Sequence, residues 1–199
     1  MSKITGIIPK QGFEIVRDLV GAILKVELDE QKILQGLTDE INVYNSRSTP
    51  FHQSEKIMIN VSTDSANYDN EHVVGVTGRT SFFIDIYTSA KEKEDADGGL
   101  LSTILKDKYL GMIRFILQDH HYKTLGLAPG LIMNAKVEGF ENFEPSNNQD
   151  ASFVKMARLS YSVKLYENQS VWNGIEISTI FTDVKLDLTE RGYKYELIN

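Results

Sequence analysis

Three clusters in the chain carry the residue types that bind ions or move protons. The segment Asp95-Ala-Asp97-Gly98 has the acidic, glycine-ended character of a calcium loop. In an EF-hand begun at Asp95, the sixth position needs glycine and the twelfth an acidic ligand; Leu100 and Lys106 stand there, so the pattern fails. The same glycines could cradle a phosphate, but a P-loop needs Gly-Lys-Ser/Thr and Gly99 is followed by two leucines. Asp97 reads more simply as a cap, its carboxylate facing the positive end of a following helix. Asp119-His120-His121 ends that helix, where adjacent histidines would diverge by about 100° and so not share an ion. Protonatable rings suit a helix C-terminus. His52 and Glu55 lie in a loop that shows no third ligand. No nucleophile elbow, HExxH pair or other catalytic signature is present, and the reading is of a protein without metal, cofactor or catalytic residues.

The elements that would hold these residues follow from periodicity. Phe13, Val16, Leu19, Val20, Ile23 and Leu24 recur at helical spacing, predicting an N-terminal helix that continues towards Leu37, with a break near Leu28–Asp29 and a stop at Gly36. Short strands follow at 41–44 and across KIMINVST, then an exposed polar loop over 62–72. HVVGVTGRTSFFIDIYTS reads as a strand with a bulge near Gly75 or Gly78, placing Phe82, Ile84 and Ile86 on one side. Leu101, Ile104, Leu105, Tyr109, Met112, Ile113, Ile116 and Leu117 mark the longest amphipathic helix, ended by GLAPG. Strands are predicted over MNAKVEGFENFEP, with a bulge at Gly139, over ASFVKMARLSYSVKLYE, and over ISTIFTDVKLDL; EPSNNQD carries turn chemistry. The tail GYKYELIN is expected to add a strand to the parent sheet or to lie across a neighbouring subunit.

The fold class is therefore α+β: a largely antiparallel, mixed sheet packed by an N-terminal helix and one long central helix, with an extended C-terminal arm or strand. Residues 1–170 make one domain, and 171–199 an extension of the same domain.

Composition narrows function further. The 199 residues are 41% hydrophobic and 25% charged, enough for a core that hides roughly 70% of the unfolded surface. There is no cysteine, which removes disulfides and thiolate chemistry and fits a reducing cytosol. The net charge of −7 opposes a grip on phosphate backbones. No apolar run approaches the ~18 residues of a membrane span, and the first residues do not read as a signal peptide.

The order of elements adds a resemblance. An N-terminal helix, the approach TPFHQSEKIMINV, a strand ending FFIDIY, a charged loop, a long helix and the strand pair MNAKVEGFENFEP and ARLSYSVKLYE span residues 12–167. This order resembles the tail terminator and tail or neck completion proteins of long-tailed bacteriophages. The resemblance implies a virion protein assembled in the bacterial host's cytoplasm. It implies a ring, usually a hexamer, of copies of the chain that caps the tail tube and presents the head or neck attachment surface. The implied partners are other copies, the tube protein, the neck or head-completion protein and a sheath where one exists; DNA would only pass through the lumen. The alternatives are a polymerising tail-tube or baseplate component, or an enzyme using Asp95–Asp97 and Asp119–His121. The candidate interface residues are Lys91, Glu92, Lys93, Glu94, Asp95 and Asp97, with the lone Trp172 and the tail residues Tyr193 and Tyr195.

Overall fold

The computed structural model describes residues 7–52, 55–69, 76–91, 97–143, 152–167, 179–185 and 192–198. Helix α1 spans Gly12–Leu34. Val16, Val20, Leu24 and Leu28 recur every fourth residue and are fully buried, so one stripe of the helix faces the core along its whole length. The expected break near Leu28–Asp29 is absent, because Leu28 belongs to that stripe and no proline or glycine stands near it. At the start, the Gln11 N–H donates to the Glu14 carboxylate at 2.9 Å. At the end Gly36 takes φ 61°, the Gly36 N–H donates to the Ile33 carbonyl and the Leu37 N–H to the Lys32 carbonyl. That is the paired closure a left-handed glycine permits.

Five strands follow: β1 (Ile41–Asn45), β2 (Ile57–Asp69), β3 (Val76–Lys91), β4 (Ile132–Phe143) and β5 (Ser152–Glu167). They form one sheet in the order β1-β2-β3-β5-β4, with β1 parallel to β2 and every other neighbour antiparallel. The mixed α+β architecture is thus as expected, but two local readings are corrected. The polar run 62–69 is strand rather than loop: β2 continues to Asp69, paired with Thr77 on β3. Serine and asparagine are tolerated there because backbone pairing with β3, not burial, holds the outer half of the strand. No register shift occurs at Gly78, where β3 runs in unbroken register with β5; the shift on β2 lies between Thr63 and Ser65. Gly75 lies outside the described residues. The irregularity expected at Gly139 is present, between Val137 and Gly139 on β4.

Helix α2 spans Gly98–Gln118 and joins α1 on one face of the sheet. Ile57, Ile59 and Val61, Phe82, Ile84 and Ile86, and Ala157, Leu159, Tyr161 and Val163 supply that face from β2, β3 and β5. Tyr109, Ile113 and Ile116 of α2 close over them. A buried polar clasp fixes the helix to the sheet. The Ser102 hydroxyl donates to the Thr88 carbonyl at 3.0 Å, and the Thr88 hydroxyl donates to the Ser102 carbonyl at 2.9 Å.

The chain divides into two compact units, residues 1–169 and 170–199. The second contains β6 (Thr179–Lys185) and β7 (Gly192–Ile198), which pair antiparallel in a sheet of their own. The tail is therefore half of a hairpin, and not a sixth strand of the larger sheet. The expected turn at 144–150 lies outside the described residues.

Candidate assembly surface

Two of the candidate interface residues flank the β3–α2 connection. Lys91 is the last residue of β3, exposed and paired with Ser152 of β5. Asp97 is the cap of α2: its Oδ1 accepts the Gly99 N–H at 2.8 Å, which accounts for its position without an ion or phosphate. Glu92, Lys93, Glu94 and Asp95 lie outside the described residues, as does Trp172. Tyr193 and Tyr195 occupy β7 positions opposite Val184 and Thr182 of β6.

The sheet face turned away from the helices holds the polar groups that sequence reasoning missed. Tyr44, Asn60, Asp85, Arg158 and Glu141 stand in register as one row across all five strands. Asp85 is only 5% exposed and meets Arg158 through two contacts. The Arg158 guanidinium also lies 4.3 Å from the Phe83 ring centroid and 5.7 Å from that of Phe143. The signal was present: one carboxylate inside FFIDIY, out of phase with Phe82, Ile84 and Ile86, and one arginine inside KMARLSY. Farther along, the Ser162 hydroxyl donates to Glu138 at 2.6 Å, and Arg79 and Lys136 sit 3.5 and 2.8 Å from the same carboxylate.

The loop after β1 is organised by Glu55. Its carboxylate accepts Arg47 Nη1 at 2.6 Å, the Tyr44 hydroxyl at 3.0 Å and the His52 N–H at 3.2 Å. The Arg47 hydrogen bond, foremost, holds the Glu55 carboxyl below its ordinary value. Phe51 then stacks on Tyr87 of β3, ring centroids 5.5 Å apart, so the loop lies over this sheet face. Glu55 is tied into a structural network rather than standing as a lone ligand beside His52.

Asp119, His120 and His121 depart from the sequence reading. Helix α2 ends at Gln118, Asp119 adopts extended backbone (φ −64°, ψ 141°), and the two histidines open a 3₁₀ turn, His120–Tyr122. The 100° divergence expected of helical neighbours therefore does not apply, and the two imidazole centroids are 3.8 Å apart. The Tyr122 hydroxyl donates to Glu27 of α1, which raises the phenol to about 12 and ties the turn to the first helix.

Three large apolar side chains left in solvent lie on the outer side of α2, apart from others on α1 and β4. Leu100 and Ile104 are 57% and 54% exposed and Phe115 is 73% exposed. With Gly111 they follow one another at intervals of four and seven, a single stripe along the helix. Beside it, a hollow of about 450 Å³ opens between α2 and α1, lined by Met112, Phe115 and Ile116 with Glu27 and Gln31. Among the described residues the β4 edge of the sheet pairs with no further strand, and most of its residues are exposed, including Phe140 and Phe143. Among the described residues no helix is long and apolar enough to cross a membrane. No protein-family model matches the chain, and no curated protein matches its sequence.

Proposed function

We propose that the chain is a structural subunit of a phage tail, a ring-forming terminator that caps the tail tube and offers its outer surface to the neck. The observation that carries this reading is an apolar stripe, Leu100, Ile104 and Phe115, on a helix whose opposite side is already committed to the core. Large apolar side chains aligned on one exposed helix face are the ordinary mark of a protein–protein contact. The open β4 edge supports it, since unpaired strand groups are a template for another chain. A stripe on α2 and a strand edge at β4 are different patches, and unlike patches meeting head to tail close into rings when the rotation permits. The net charge of −7 suits a lumen through which DNA slides without adhering.

Light scattering on the purified chain and negative-stain images with tail tubes test the reading. Closed rings seated on tube ends are expected. A monomer at all concentrations that never caps tubes overturns it, and open-ended tubes would reassign the chain to the tube or baseplate.

A further inference from the structure

We propose that Asp119, His120 and His121 bind a single divalent transition cation of the zinc class at the turn between α2 and β4. One donor atom from each residue lies within 4.8 Å of the others. His121 Nδ1 and His120 Nδ1 stand 2.7 and 3.3 Å from the same oxygen, Asp119 Oδ1. Ligands held about 2.0–2.2 Å from a tetrahedral zinc are separated from one another by roughly 3.3 Å, so the set needs only small side-chain rotations to close on an ion.

The backbone has already made the arrangement possible. Because α2 stops one residue before Asp119, the three side chains leave a tight turn instead of a helix. The His121 N–H donates to Asp119 Oδ1 at 2.9 Å and fixes the carboxylate over the turn. A carboxylate offers about four acceptor positions, so the backbone bond can stay while an ion takes the place of the ring contacts to Oδ1. Each imidazole is 73% exposed, which lets the ion keep water in its remaining position and avoids burying uncompensated charge. Imidazole and carboxylate donors together favour zinc, nickel or copper over calcium or magnesium.

Isothermal titration of the untagged full chain with zinc chloride at pH 7.5 tests the site, with magnesium chloride as the unlike cation. One zinc per chain is expected, with no magnesium binding. His120→Ala and His121→Ala should each weaken zinc by about tenfold or more, while His52→Ala leaves it unchanged. Asp119→Asn separates ligand from cap, because the amide oxygen still accepts the His121 N–H but carries no charge. It should weaken zinc while the circular dichroism spectrum is preserved. Zinc should also raise the melting temperature of the parent chain and not of the His120→Ala/His121→Ala double variant. Zinc bound equally by that double variant, or no zinc bound by the parent, overturns the proposal. Ring formation is a separate readout, so a failure here leaves the assembly reading standing.

Discussion

Asp85 and Arg158 face each other across the β3–β5 pairing, with Nε 2.6 Å from Oδ1 and Nη2 2.9 Å from Oδ2. The pair is unequally buried: Asp85 keeps 8% of its side chain in water and Arg158 33%. A buried charge whose partner is removed costs more than the pair itself gains. Arg158→Ala strands the carboxylate, whereas Asp85→Ala leaves a guanidinium that can turn to solvent. Urea unfolding should show Arg158→Ala losing about 2–3 kcal/mol and Asp85→Ala clearly less. The double variant should lose less than the sum, as interacting neighbours do. Equal losses from the two single variants would remove the asymmetry on which this rests.

Two glycines should respond to alanine with opposite signs. Gly36 holds φ 61° at the end of α1, a conformation alanine resists, and Gly36→Ala should lower stability by ~1 kcal/mol. Gly111 sits inside α2, where an added Cβ would meet nothing within 4 Å. Helix propensity then decides, and Gly111→Ala should raise stability by ~0.8–1 kcal/mol. Thermal melts of both proteins check the pair of signs.

What the sequence disclosed and what it hid have separate physical reasons. The buried stripe of α1, the alternation of Phe82, Ile84 and Ile86, and the capping role of Asp97 are local periodicities or local bonds, and each reads directly from residue order. The extent of β2 was hidden because Ser62–Asp69 is loop-like in composition and becomes strand only through pairing with β3. The Asp85–Arg158 pair spans 73 residues and needs the register of β3 against β5 before its members can meet. The geometry of Asp119-His120-His121 was hidden for a local reason: helical composition continues through Tyr122, but α2 stops at Gln118 and a 3₁₀ turn replaces its last turn. The stripe on α2 was hidden: helical spacing groups Ile104 with Tyr109 and Ile113 on the apolar face, yet Ile104 stands 54% exposed.

Acid should loosen the loop after β1. The Glu55 carboxyl is held below its ordinary value of 4.5, chiefly by the Arg47 hydrogen bond. A depressed folded-state value means the stabilisation is present above the unfolded value and disappears as pH falls through the folded one. The melting temperature should therefore decline below about pH 4.5, and Glu55→Gln should be less stable than the parent at pH 7 with a flatter decline. The fluorescence of Tyr44 and Tyr87, which lie within this network and under Phe51, gives a local check. A parallel decline in the variant would show that other carboxylates carry the acid response.

The outer stripe of α2 separates folding from assembly, because its residues contribute little to the core they sit outside. Phe115 is 73% exposed and Ile104 54%, so Phe115→Glu and Ile104→Lys should change stability within about 0.5 kcal/mol. A charge placed in an apolar contact between copies would face desolvation without a partner, and such contacts concentrate their energy in a few large side chains. Either substitution should therefore shift the chain to monomer in light scattering while the melting temperature stays near that of the parent. Ile113→Ala is the contrast: its side chain is fully buried against the sheet, and it should lose about 2–4 kcal/mol. If Phe115→Glu and Ile104→Lys both form rings as the parent does, the stripe is not the contact and the open β4 edge becomes the surface to alter next.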